Sequence, residues 1–266
     1  MKPYYEENGI TIYHGDCREL MPCLTPVSIG LIIADLPYAM TDCLWDGEIP
    51  LSSLWPAWRR LLMPNRAVVL TASQPFTSAV VMSQRDAFKH EWIWEKNAGS
   101  NFGTVKFQPM KEHESVLVFG WGKVLYLPIM QERAPSGLSR VQTVVNYDTR
   151  AEVYSSGGLT GQASSKRPNQ RYPRSIQKFN RERGLHPTQK PVGLVDYMIR
   201  TYSVEGDTTL DCCMGSGTTL VAALQTGRKA IGIEIEEKYC EVAAERLRQG
   251  ALNFNELPAL SVVGGE

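Results

Sequence analysis

Short apolar runs alternate with segments of helical spacing along most of the chain. Residues 10–13 read as a strand that ends at Gly15-Asp16, and residues 29–34 form an unbroken apolar run, the pattern of a parallel strand buried on both faces. In residues 51–62, Leu54, Trp58 and Leu61 fall on one helical face, with Pro64 beyond as a stop. Residues 67–71 form another buried strand. Residues 75–88 predict a helix with Ser73 as its N-cap, and residues 91–94 and 116–119 predict two more strands. Near Gly120 the periodicity fades, and from there to residue 185 the chain is rich in Gly, Ser, Pro, Gln and Asn. Order returns with a helix over 191–202, a strand over 208–213, a helix over 218–226 stopped by Gly227, a strand over 230–235 and a helix over 237–248. Strands alternating with helices predict an α/β fold with a doubly wound, mostly parallel sheet. The domain reading is a first half over 1–119, an insertion over 120–185, a second half over 186–250 and a tail over 251–266.

Composition changes this picture at one place. The 266 residues carry 28 Lys and Arg against 28 Asp and Glu, so net charge identifies no partner. Within 120–185, however, eleven basic residues, Arg133, Arg171 and Arg181 among them, face four acidic ones. That stretch therefore carries +7 and the remainder −7, a polarity expected of an insertion that meets a polyanion. A solvated loop is the plain alternative; Val141, Val144, Val145, Tyr147 and Tyr154 argue against full disorder. The six cysteines form no Cys-x-x-Cys pair and the histidines number four, so neither a disulfide framework nor a metal site is expected. No charged-then-apolar leader opens the chain and no apolar run approaches membrane-span length. A soluble intracellular protein is the expectation.

Two motifs carry candidate chemistry. Asp211-Cys-Cys-Met214-Gly215-Ser216-Gly217-Thr218 lies between a predicted strand and helix, where glycines allow a tight turn and close approach of a ligand to the backbone. Glu234 ends the following strand, placed to accept hydrogen bonds from ribose hydroxyls. Leu220 occupies the place of the third glycine of a dinucleotide fingerprint, which favours a nucleoside site without a pyrophosphate. Asp35-Leu36-Pro37-Tyr38 follows a buried strand, at the kind of carboxyl end where doubly wound sheets bind ligands. There a carboxylate can accept from a planar amino group and a tyrosine can stack on a base. Taken alone, each motif also fits plain structural roles.

Together and in this order, the motifs resemble the permuted, beta-class amino-methyltransferases of DNA, in which an Asp-Pro-Pro-Tyr-like motif comes first. A target-recognition region, a methionine-side helix and a glycine motif follow it. His186-Pro187-Thr188-Gln189-Lys190-Pro191 is similar to the family segment before that helix. Trp94-Glu95-Lys96 and His113-Glu114-Ser115-Val116-Leu117 match its late-strand patterns. The resemblance spans about residues 10–250. It implies a Rossmann-like methyltransferase sheet, S-adenosylmethionine as cofactor and double-stranded DNA as substrate. It also implies a catalytic motif of Asp35, Leu36, Pro37 and Tyr38, and a cofactor site of Asp16, Cys17, Thr188, Lys190, Asp211, Met214, Gly215, Ser216, Gly217, Thr218 and Glu234. A homodimer, to which Trp55 or Trp58 on the first helix would contribute if exposed, is expected by analogy. The departures are Leu36 for the usual first proline, Cys212 for a proline and Cys213 for a phenylalanine. Family members acting on cytosine N4 more often carry Ser in place of Asp35, which tilts the target toward adenine N6. N4-cytosine methylation remains the alternative, with a nicotinamide oxidoreductase and a non-catalytic DNA-binding module as rivals of other classes.

Overall fold

The computed structural model describes residues 1–37, 49–133, 146–147, 161–162, 169–182, 184 and 189–255. Its elements are β1 (Tyr5–Glu7), β2 (Ile10–His14), α1 (Cys17–Leu20), β3 (Ile29–Ala34), α2 (Leu51–Leu61), β4 (Leu62–Ala72), α3 (Phe76–Ser83), β5 (Phe88–Ser100) and β6 (Lys111–Phe119). Four two-residue strands follow: β7 (Gln131–Glu132), β8 (Asn146–Tyr147), β9 (Gly161–Gln162) and β10 (Gln170–Arg171). The chain continues with β11 (Ile176–Phe179), α4 (Val192–Tyr202), β12 (Thr208–Asp211), α5 (Thr218–Gln225), β13 (Lys229–Glu234) and α6 (Glu237–Asn255).

The main sheet of the described residues has nine strands in the order β1-β2-β13-β12-β3-β4-β6-β5-β11. From β2 to β4 all neighbours are parallel; only β1 and β6 run against the rest. The C-terminal pair β12 and β13 thus fills the gap between the first two long strands. The apolar runs explain why both faces are covered. Leu31, Ile33, Ala67 and Val69 pack on one side with Val195 and Ile199 of α4. Ile32, Ala34, Val68 and Leu70 pack on the other with Leu54, Trp58 and Leu61 of α2. Trp55 and Trp58 are both buried there as core residues, so neither offers an exposed face for a second copy.

Several elements differ in extent from the sequence expectation: β5 and β6 run well beyond 91–94 and 116–119, and α6 runs past 248 to Asn255. The helix expected over 75–88 stops at Ser83, because Phe88 already pairs with Phe119 as the first residue of β5. Ser73 does not cap it with a side chain; its backbone carbonyl accepts from the Thr77 N–H at 3.1 Å. β4 starts at Leu62 rather than 67, and a register shift against β3 takes up Pro64, which has no N–H to give to a ladder.

The chain divides into two compact units, 1–127 with 175–266, and 128–174. Residues 120–127 and β11, both inside the 120–185 stretch, belong to the larger unit: Leu125 N–H donates to the Asn65 carbonyl at 2.8 Å, and β11 pairs in parallel with β5. In the smaller unit β7 pairs with β10, and the Arg133 guanidinium donates to the Gln170 carbonyl at 2.9 Å. β8 pairs with β9.

Candidate active site

Parallel strands end along one edge of the sheet, and that edge collects the charged residues. Asp16 follows β2, Glu234 ends β13, Asp211 ends β12, Asp35 follows β3 and Thr71 lies near the end of β4. Because β6 runs the other way, its first residues, including Glu114, reach the same edge.

Asp35 sits in a line of polar contacts. Its Oδ1 accepts from the Thr71 hydroxyl, and its Oδ2 pairs with Lys190 Nζ at 2.5 Å. Lys190 also faces Glu114 at 3.6 Å, and Lys96 pairs with the other Glu114 oxygen at 2.5 Å. Burial works against the Lys190 ammonium, but the charges of Asp35 and Glu114 outweigh it and its pKa is raised. Leu36 turns its side chain into the core.

The second half of the edge is the turn between β12 and α5. Asp211 is buried, and its oxygens accept from the Thr219 hydroxyl at 2.6 Å and the Cys213 N–H at 3.1 Å. Burial pushes its carboxyl up to about 7, against the pull of those hydrogen bonds. Gly215 (φ +51°) and Gly217 (φ +77°) both take the left-handed conformation. A Cβ on Gly217 would lie 2.6 Å from the Ala243 Cβ of α6. Gly215 N–H donates to Glu234 Oε2 at 2.9 Å, and Glu236 N–H to Oε1 at 2.9 Å. Burial raises the Glu234 carboxyl, and these N–H groups draw it back. The carboxylate is held rigid with lone pairs to spare, beside backbone that carries no side chain. Both features fit the ribose of a nucleoside.

The other expected residues divide. Ser216, Met214 and Thr218 are buried, and Arg246 of α6 donates to the Ser216 carbonyl at 2.6 Å. Asp16 caps α1 and is held by Arg18, whose hydrogen bonds lower its pKa. Lys190, expected among the cofactor contacts, is paired with Asp35. Tyr38 and Thr188 lie outside the described residues.

Sequence reasoning assigned no role to Thr71, Lys96, Glu114 or Arg246. Thr71 was open to the rule that pointed to Asp35, the carboxyl end of a buried parallel strand. It also gave no sign that Cys17, Cys212 and Cys213 converge. Their sulfur atoms lie within 4.8 Å of one another, where the loop after β2 meets the loop after β12. Thiol hydrogen bonds from Cys212 and Cys213 lower Cys17.

A doubly wound sheet with a carboxylate line and a glycine turn at its carboxyl edge has the form of a nucleoside-binding fold. The DNA methylase family (N6_N4_Mtase) matches residues 29–245, and the chain belongs to it. It is a DNA methyltransferase of an S-adenosylmethionine-dependent family, with double-stranded DNA as its substrate class. It is 28% identical to the Type II methyltransferase M2.DpnII of Streptococcus pneumoniae, over 92% of each chain. It is 28% identical to the DNA adenine methyltransferase YhdJ of Escherichia coli, over 89% of this chain and 82% of that one. The crystal structure of an M1.HpyAVI–SAM complex shares its fold, with a TM-score of 0.61 and 23% identity over 90% of this chain and 98% of that one. Among the described residues no helix is long and apolar enough to cross a membrane.

Proposed function

We propose that this chain transfers a methyl group from S-adenosylmethionine to the N6 amino group of adenine in double-stranded DNA, with Asp35, Leu36, Pro37 and Tyr38 as its catalytic motif. The observation that carries the reading is Asp35 itself. It is fixed by Thr71 and Lys190 at the strand end, on the same edge as Glu234 and the left-handed glycine turn. The strand order supports the beta-class permutation, since the catalytic strand β3 precedes the cofactor strands β12 and β13 in the chain yet lies beside them. The adenine named in the description of YhdJ supports adenine over cytosine.

When bound, the cofactor supplies an electrophilic methyl group on sulfur. Glu234 would hold its ribose and the backbone of Gly215 and Gly217 would flank it, in a turn shaped by Asp211, Met214, Ser216 and Thr218. By the resemblance, Asp16 and Cys17 would serve the adenine end and Thr188 the methionine end. The amino nitrogen of adenine is a poor nucleophile because its lone pair is delocalised into the ring. Asp35 Oδ and the Leu36 carbonyl accept its two hydrogens, which favours a tetrahedral nitrogen with the lone pair freed toward the methyl. Lys190 positions the carboxylate, Pro37 stiffens the turn and Tyr38 stacks on the base drawn from the duplex. Assembly as a homodimer rests on the resemblance alone.

Asp35→Ala, with the isosteric Asp35→Asn beside it, tests the assignment. Turnover is expected to fall on the order of a hundredfold or more while S-adenosylmethionine binding changes little; the melting temperature falls to the extent that buried Lys190 loses its partner. If cofactor binding, DNA binding and stability all fall together, Asp35 is a structural residue and the assignment fails.

A further inference from the structure

The hairpin loop between β5 and β6 reverses the usual arrangement of a surface turn. Its polar groups are spent on its own backbone, and its apolar side chains face water. Ser100 pairs with Lys111 as the last rung of the hairpin, and residues 101–110 close it. Asn101 ties both ends together: its Oδ1 accepts from the Lys111 N–H at 2.8 Å and its Nδ2 donates to the Pro109 carbonyl at 3.3 Å. Thr104 adds a second tie, with Gln108 Nε2 donating to its hydroxyl at 2.7 Å and Phe107 N–H to its carbonyl at 2.9 Å. A turn held in this way keeps its shape without help from its hydrophobic residues. Yet Phe107 is 89% exposed and Phe102 62%, with Val105 and Met110 also exposed.

The loop's position says what it meets. It springs from the carboxyl edge of the sheet, four residues past Lys96 and three before Glu114, the pair that continues the Asp35–Lys190 line. β5 lies three strand spacings from β3 in the sheet order, roughly 14 Å at the usual separation of neighbouring strands. Lys106 lies within the loop, and Arg181 donates to the Gly99 carbonyl at its root at 3.1 Å. Exposed aromatic rings among cations beside an amino-methylating site match the chemistry of an opened DNA duplex, with unstacked base faces between phosphates.

We propose that loop 101–110 is a wedge that enters the DNA duplex beside the target base, with Phe107 occupying the stack that the extruded base leaves. The inference rests on the methyltransferase reading above and adds to it the element that opens the duplex. An apolar ring fills vacated stacking space at little desolvation cost, and a preformed loop does so without first being ordered.

The test uses the full chain and a duplex oligonucleotide carrying a target sequence mapped with the wild type, with S-adenosylhomocysteine for the fluorescence readout and S-adenosylmethionine for the rates. 2-Aminopurine replaces the target adenine as a probe of unstacking. The wild type is expected to raise the probe's fluorescence. Phe107→Ala should lose most of that rise, and on the adenine duplex its single-turnover rate should drop about tenfold to a hundredfold. A mismatch opposite the target base, which lowers the cost of opening, should restore most of the Phe107→Ala rate, and Phe107→Trp should keep both signals. A wild-type rise retained in full by Phe107→Ala overturns the wedge, as does an equal loss on paired and mismatched DNA. Conversion of a dimer to a monomer with opening unchanged assigns the loop to a second copy and overturns it too. Absence of any rise with the wild type removes base extrusion itself, and the wedge with it.

Discussion

Two aspartates at neighbouring strand ends do opposite things, and their surroundings show why. Asp35 is partly open at the strand end and lies against the Lys190 ammonium. Asp211 is 4% exposed, with both oxygens engaged inside the loop it anchors. Its folded carboxyl is raised from 3.8 to about 7, so the folded chain holds the proton more tightly than the unfolded one. Stability from this group is complete below about pH 4 and is lost as pH rises through about 7. Asp211→Asn removes the titration. Melts of the two proteins from pH 5 to pH 8 should therefore show the wild type losing ground to the variant up to about pH 7 and no further. A difference that stays constant across that range would contradict the buried, protonated form.

At the scale of elements, the turn from β12 into α5 depends on close contact with α6. Gly217 is left-handed, and a Cβ there would lie 2.6 Å from Ala243 Cβ and 3.3 Å from its Cα. Gly217→Ala combines backbone strain with overpacking, at a cost of about 1–3 kcal/mol. It should lower the thermal midpoint and weaken S-adenosylmethionine binding measured by calorimetry. Ala243→Gly in the same chain should recover the part due to the clash. An unchanged midpoint in the single variant would show that α6 moves aside freely. This turn was legible in the sequence because glycines between a strand and a helix have few other uses, and β3 was legible to the residue because a strand buried on both faces is apolar throughout. The early stop of α3 was not, since it is set by Phe88 pairing across the sheet with Phe119. Nor was Lys190 on Asp35, a contact made across 155 residues of chain, nor the meeting of Cys17 with Cys212 and Cys213. Such contacts follow from strand order, which local periodicity does not carry.

Across the whole molecule, charge is segregated although the total is zero. The stretch 120–185 carries +7, and its middle forms the unit 128–174. We propose that this region is the main target-recognition element, its cations contacting phosphates and a minority of side chains reading bases. DNA affinity should then fall steeply with salt. Lys166→Gln with Arg167→Gln should flatten the log–log slope by up to about two and leave cofactor affinity unchanged. An unaltered slope would move the contacts elsewhere, residues 97–111 first. All of this depends on one chemical outcome. Unmethylated double-stranded DNA incubated with the protein and isotopically labelled S-adenosylmethionine, then digested to nucleosides and resolved by mass spectrometry, reads it directly. N6-methyladenine should carry the label, and Asp35→Ala should abolish it; label in N4-methylcytosine, or none in DNA at all, would refute methyl transfer to adenine by this site.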